Sequence, residues 1–136
     1  LSIRLCLSRR APTSMVSTFI FHSFCKIINK AASYGISKEK ACAPQLNSGL
    51  FTAMKEMGDV RGIFVGHDHD DDYAVSWKGI LLAYGRYTGG NTVYNHLTNG
   101  ARVIELDENA SSFRTWIRLK EGIVQQVTYP ADFTKE

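Results

Sequence analysis

The run Arg61-Gly-Ile-Phe-Val65 constrains this chain more than any other stretch. Gly62 to Val65 has little polarity, which fits a strand buried on both faces, as strands in a layered α/β sheet are. A helix precedes it. Leu46, Leu50, Met54 and Met57 fall on one apolar face after Pro44, and Gly58 supplies the carboxyl cap. These methionines read as core filler rather than as a cofactor box. The strand runs into Gly66-His67-Asp68-His69, where glycine lets the backbone turn sharply and brings two imidazoles and an acid into one loop. Neutral imidazole is a common ligand for zinc, iron and other transition metals. Two histidines one residue apart can hold one ion or two neighbouring ions, or stand as a solvated pair, and spacing alone does not choose among these.

Asp70, Asp71 and Asp72 follow, and Asp68, Asp70 and Asp72 fall at the first three ligand positions of an EF-hand loop. A calcium reading nevertheless fails. Tyr73 stands where that loop needs glycine, and Gly79 where it needs the bidentate glutamate. The sequence therefore predicts a solvated, turn-rich acidic loop for Asp70 and Asp71.

Elsewhere the pattern predicts a strand over Met15 to Phe21 and a helix carrying Phe24, Ile27, Ile28 and Ala31, with Gly35 as a stop. Beyond the histidine loop only strands are expected. Tyr73 to Trp77 and Ile80 to Tyr84 flank Lys78-Gly79, a two-residue hairpin connection. Gly85 to Gly100 is glycine-rich, carries Arg86, and reads as a long loop of the kind that often has a function. Ala101 to Leu106 resumes as a strand. Ser112 to Leu119 alternates, with Phe113, Thr115, Ile117 and Leu119 on one face and Arg114, Trp116 and Arg118 on the other. Ile123 to Tyr129 is the last strand, after the Glu121-Gly122 turn. Residues 1–14 read as irregular, 15–129 as one domain and 130–136 as a polar tail. His96 reads as exposed and without a partner.

Composition narrows the function classes. The chain has 136 residues, of which 44% are hydrophobic, enough for one compact domain with a core. A net charge of +3, with no basic cluster beyond Arg9-Arg10, gives no electrostatic support for a nucleic-acid partner. Cys6, Cys25 and Cys42 are odd in number and form no CxxC pair, against both a disulfide framework and a cysteine zinc site. Val16 to Phe21 is far too short to span a bilayer, so no membrane partner is expected, and Leu1 to Pro12 lacks a signal-peptide core. Leu1 in place of methionine suggests a trimmed chain or an internal fragment, and the cellular location stays open.

Asn47-Ser-Gly-Leu-Phe51, Gly58-Asp59-Val60, Gly66-His67-Asp68-His69, Asp72-Tyr73, Ala83-Tyr-Gly-Arg86 with Thr88-Gly89, and Gly100-Ala-Arg-Val-Ile-Glu-Leu106 together resemble the carboxyl-terminal part of calcineurin-like metallophosphoesterases, close to their purple acid phosphatase-like branch. The resemblance runs from about Gly35 to Arg118. It implies an α/β (α+β) fold, the carboxyl-terminal half of a four-layer α/β/β/α sandwich with two helices followed by mostly antiparallel strands. It implies that His67 binds one metal and His69 the other, and that His22, after an expected strand, joins the first of these. The metals implied are Zn, Fe or Mn. Asp68 would orient a metal-bound imidazole, and Arg86 would contact a substrate phosphate through its planar fork. The family's Asp-x-His, Gly-Asp-x-x-Asp and Gly-Asn-His-Asp/Glu motifs lie upstream of the histidine that His22 resembles, and none occurs in the 21 residues before it.

The resemblance thus implies phosphate-ester hydrolysis at two metal ions, with a phosphate-ester substrate, or a catalytically incompetent relative that binds a metal or a partner without turnover. No residue is assigned a catalytic role. A half-sandwich would leave apolar residues such as Phe113 and Ile117 bare, so a homo-oligomer is expected.

Overall fold

A computed structural model of the chain describes residues 4–7, 33–39, 49–90 and 96–133. In chain order these hold β1 (Arg4–Leu7), β2 (Ser33–Tyr34), α1 (Leu50–Met57), β3 (Val60–Val65), β4 (Ala74–Trp77), β5 (Ile80–Tyr84), β6 (Gly100–Leu106), β7 (Phe113–Leu119) and β8 (Ile123–Tyr129), followed by a short 3-10 turn at Ala131–Phe133. The architecture is α+β, with one α-helix among the described residues. One sheet has the strand order β1-β3-β5-β4-β2 and the other β6-β7-β8. In the first, β3 pairs in parallel with both β1 and β5, while β4 runs antiparallel to β5 and to β2. The second is antiparallel throughout.

The helix ends where the sequence predicts. Gly58 takes a left-handed conformation at φ 77°, which glycine adopts without steric cost. Leu50, Phe51 and Met54 pack against the sheet, but Met57, expected on the same face, is 52% exposed at the last helical position. Lys78 and Gly79 both have positive φ, 49° and 76°, as a hairpin whose turn twist matches its strands requires.

The first sheet is buried on both faces, which explains the apolar β3 and β5. Met54, Val60, Ile63, Val75, Ile80 and Leu82 form one cluster on the helix side. Phe64, Ala74, Leu81 and Ala83 form another with Phe113, Val127, Tyr129 and Phe133, which joins the two sheets. Gly62 is what allows this second cluster to close. A Cβ there would lie 2.9 Å from the Phe64 ring and 3.2 Å from that of Phe113.

Several expectations change. Arg4–Leu7 is a strand rather than irregular; its partner is β3, with Leu5 opposite Gly62 and Leu7 opposite Phe64, a long-range pairing that no local pattern announces. Ser33–Tyr34 pairs with β4 through Val75 and Ala74. The supposed polar tail contains Phe133, 3% exposed, whose ring lies 5.2 Å from Tyr34 and 5.7 Å from Tyr129. The alternation of β7 holds, with Phe113, Thr115 and Ile117 inward. Phe113 and Ile117 are only 5% and 0% exposed, so the bare face assumed for them does not exist: the first sheet covers Phe113. The expected strand at Met15 to Phe21, the first helix and His22 lie outside the described residues.

Candidate functional site

Because β3 and β5 are parallel neighbours, with Val65 opposite Tyr84, their carboxyl ends open at the same edge of the sheet. The Gly85 N–H donates to the Val65 carbonyl at 2.8 Å and holds the two exits together. Gly66-His67-Asp68-His69 leaves one strand here and Gly85-Arg86-Tyr87 the other, the edge at which open α/β sheets place their ligands.

His67 is exposed and has φ 150°, a backbone conformation that residues other than glycine seldom hold. His69 is half-buried, its ring tilted against that of Tyr87 with centroids 5.5 Å apart. Asp68 accepts a hydrogen bond from the Tyr84 hydroxyl at 2.6 Å. Tyr84 is 1% exposed, and burial first, then the Asp68 carboxylate, push its hydroxyl well above the ordinary phenol range. Tyr84 therefore stays a donor and anchors the middle of the histidine loop from below.

The aspartates are not solvated. Asp70, Asp71 and Asp72 are 2%, 3% and 0% exposed. Backbone N–H groups replace the water they lose. Asp70 Oδ1 accepts from His96 N–H at 2.7 Å and Leu97 N–H at 3.3 Å, and its Oδ2 faces His96 Nδ1. Burial alone would raise the Asp70 pKa, but the hydrogen bonds from His96 and Leu97 and the imidazole charge hold it below the usual value. Asp71 Oδ1 accepts from Lys38 N–H at 2.7 Å and Glu39 N–H at 3.1 Å. Its pKa is raised: burial outweighs those two hydrogen bonds, and repulsion from Asp68 and Glu39 adds a smaller push in the same direction. Asp72 Oδ1 accepts from Ile36 N–H at 2.7 Å.

Arg86 sits differently from the place expected of a phosphate ligand. Its side chain is 6% exposed; Nε and Nη2 reach Asp72 Oδ2 at 2.8 and 2.7 Å, and Nη1 donates to the Thr98 carbonyl at 2.6 Å and to its hydroxyl at 2.9 Å. The fork is engaged inside the protein rather than presented to solvent. Arg102, from β6, crosses between the sheets and donates to the carbonyls of Tyr84 at 2.6 Å and Asp72 at 2.7 Å; burial lowers its pKa to about 10.

The structure thus brings His67, Asp68 and His69 to one edge and adds Tyr84 and Tyr87, which the sequence left unassigned, and His96, which is exposed as expected but is held by Asp70 rather than without a partner. The Tyr87 hydroxyl donates to the Leu97 carbonyl, so the 96–97 segment is tied to the histidine loop both there and through Asp70. No local signal marks His96. Its placement comes from an aspartate 26 residues away. Among the described residues no group of three or more His, Cys, Asp or Glu side chains is arranged to hold a metal ion. Among the described residues the donor set is two imidazoles, and two imidazoles alone do not fit the ligand count of a closed metal site.

No family model matches the chain. It is 35% identical over 111 residues to "Probable inactive purple acid phosphatase 29" of Arabidopsis thaliana, covering 72% of this chain and 28% of that protein. Over 95 residues it is 34% identical to "Probable inactive purple acid phosphatase 14" of the same plant, covering 66% and 23%. A third, "Probable inactive purple acid phosphatase 28", is 28% identical over 102 residues, covering 68% and 26%. The chain spans about a quarter of the length of these curated relatives. These similarities support, as the family of this chain, the metallophosphoesterases in their purple acid phosphatase-like form, through relatives that are themselves named inactive.

Proposed function

We propose that the chain carries the GHxH element of a metallophosphoesterase-type domain and that this polypeptide by itself does not turn over phosphate esters. One observation carries the reading: His67 and His69 stand together at the carboxyl edge of β3 and β5, with no third ligand beside them among the described residues. The names of the relatives agree with it. His67 and His69 are the residues that would hold a metal, with Asp68, fixed by Tyr84, steadying the loop between them. A bound ion would supply charge to a phosphate oxygen and acidity to a water. Zn, Fe and Mn all suit imidazole. Helix α1 and the two sheets would form part of a four-layer α/β/β/α sandwich, a reading supported by apolar clusters on both faces of the first sheet.

The test is an aryl phosphate assay in added Mn or Zn, in which the rate should stay near that without protein. Robust turnover that disappears in His67→Ala would make the chain an active phosphoesterase instead. Self-association belongs to the same proposal, and rests on exposed Leu106, Ile123 and Val124 of the outer strands β6 and β8 rather than on Phe113 and Ile117. Light scattering coupled to size exclusion decides it; a clean 15.2 kDa monomer at micromolar concentration ends the idea.

A further inference from the structure

His96 differs from a surface histidine in how it is held. Its carboxylate partner, Asp70, is 2% exposed, while the imidazole itself is 70% exposed. Asp70 Oδ2 occupies Nδ1, and Oδ1 takes the backbone N–H groups of the same residue and of Leu97, so three contacts on one carboxylate fix the imidazole and the backbone that bears it. A carboxylate at Nδ1 selects the tautomer with its proton on that nitrogen and leaves Nε2 as the working atom, the arrangement used wherever an imidazole is oriented for chemistry. Two further ties keep this segment beside the histidine loop: Tyr87, whose ring is tilted against that of His69, donates to the Leu97 carbonyl, and Arg86 joins Thr98 to Asp72.

We propose that His96 is a further ligand-contacting residue of this site, and that its Nε2 hydrogen-bonds a phosphate oxygen, with Asp70 as its positioning residue. The inference rests on the reading of the site as a phosphate-ester one. Phosphate chemistry suits this nitrogen in either protonation state. With its second pKa at about 6, a phosphate group at neutral pH offers both a P–OH and P–O⁻ oxygens. A neutral Nε2 accepts from the first, and an imidazolium donates to the second. No bond is made or broken in this step.

The experiment follows the imidazole nitrogen resonances of the isotope-labelled full chain during titration with inorganic phosphate and, in a parallel arm, with phenyl phosphate. The His96 Nε2 resonance should move saturably, and His96→Gln, a change at an exposed side chain, should weaken phosphate binding about tenfold, the size of one charge-assisted hydrogen bond. A response to both additions assigns the site to the shared phosphate group, and a response to phenyl phosphate alone assigns it to the ester. Shifts confined to His67 and His69, or equal binding by His96→Gln, overturn the role of His96 and leave the reading of the histidine loop standing. Absence of any phosphate-induced shift overturns it too, and metal uptake by His67 and His69 on the same sample then judges the loop separately.

Discussion

Gly66 to His69 and Asp70 to Asp72 are one continuous stretch, yet they do opposite things. The first half leaves the sheet edge with His67 exposed and His69 half-buried; the second turns back inward, and all three carboxylates lie 3% exposed or less. Residue type alone inverts this picture, since aspartates are usually solvated and histidines often are not. What decides is the path of the backbone. The strand after the loop, β4, must return to pair with β5 and β2, and this drags Asp70, Asp71 and Asp72 past the backbone N–H groups of residues 36, 38, 39, 96 and 97, which then bind them. The histidines are thus carried on a short loop that is followed at once by buried, backbone-bonded acids.

The largest effect expected from this contrast is at Asp72. Asp72→Ala leaves the guanidinium of Arg86 buried without its carboxylate and the Ile36 N–H without its acceptor, and should cost about 3–5 kcal/mol, read as the urea midpoint at unchanged slope. A variant as stable as the parent would mean that these contacts of Asp72 do not hold the fold. Tyr84→Phe comes next. It removes only the hydroxyl that donates to Asp68 and should cost about 1 kcal/mol by the same measurement.

The two neighbouring acids should respond to pH with opposite sign. Asp70 has a depressed folded pKa, so the stability it contributes is present above the ordinary carboxylate range and lost as pH falls through the folded value. Asp71 has a raised one, so its contribution is present at acid pH and lost as pH rises through its folded value. Thermal melts across the acid range should therefore show Asp70→Asn flattening the loss of stability on acidification and Asp71→Asn making it steeper. Identical profiles for the two variants would mean that their surroundings are alike. The smallest effect belongs to the exposed end. His67→Ala with His69→Ala should leave the urea midpoint within about 0.5 kcal/mol of the parent, because neither side chain fills the core.

Elements with a local cause were legible in the sequence. Gly58 ended the helix, Lys78-Gly79 turned the hairpin, and the alternation of β7 put Phe113, Thr115 and Ile117 inside. What escaped has its cause elsewhere in the chain. The strand Arg4–Leu7 exists through β3, the burial of Phe133 through Tyr34 and Tyr129, and the engagement of Arg86 through Asp72 and Thr98. The site divides in the same way: the His67 and His69 pair is visible as a motif, whereas Tyr84 beneath Asp68 and His96 on Asp70 appear only once the chain has folded.

In the function proposed for it, the outward half of this loop is a metal-binding element short of ligands. Elemental analysis of the purified chain after dialysis against Zn or Mn tests it most directly, beside His67→Ala with His69→Ala. Fewer than two ions per chain are expected, weakly held and absent from the double variant, since affinity follows the number of ligands and their support. Two tightly held ions per chain, or metal retained when both histidines are gone, would contradict it.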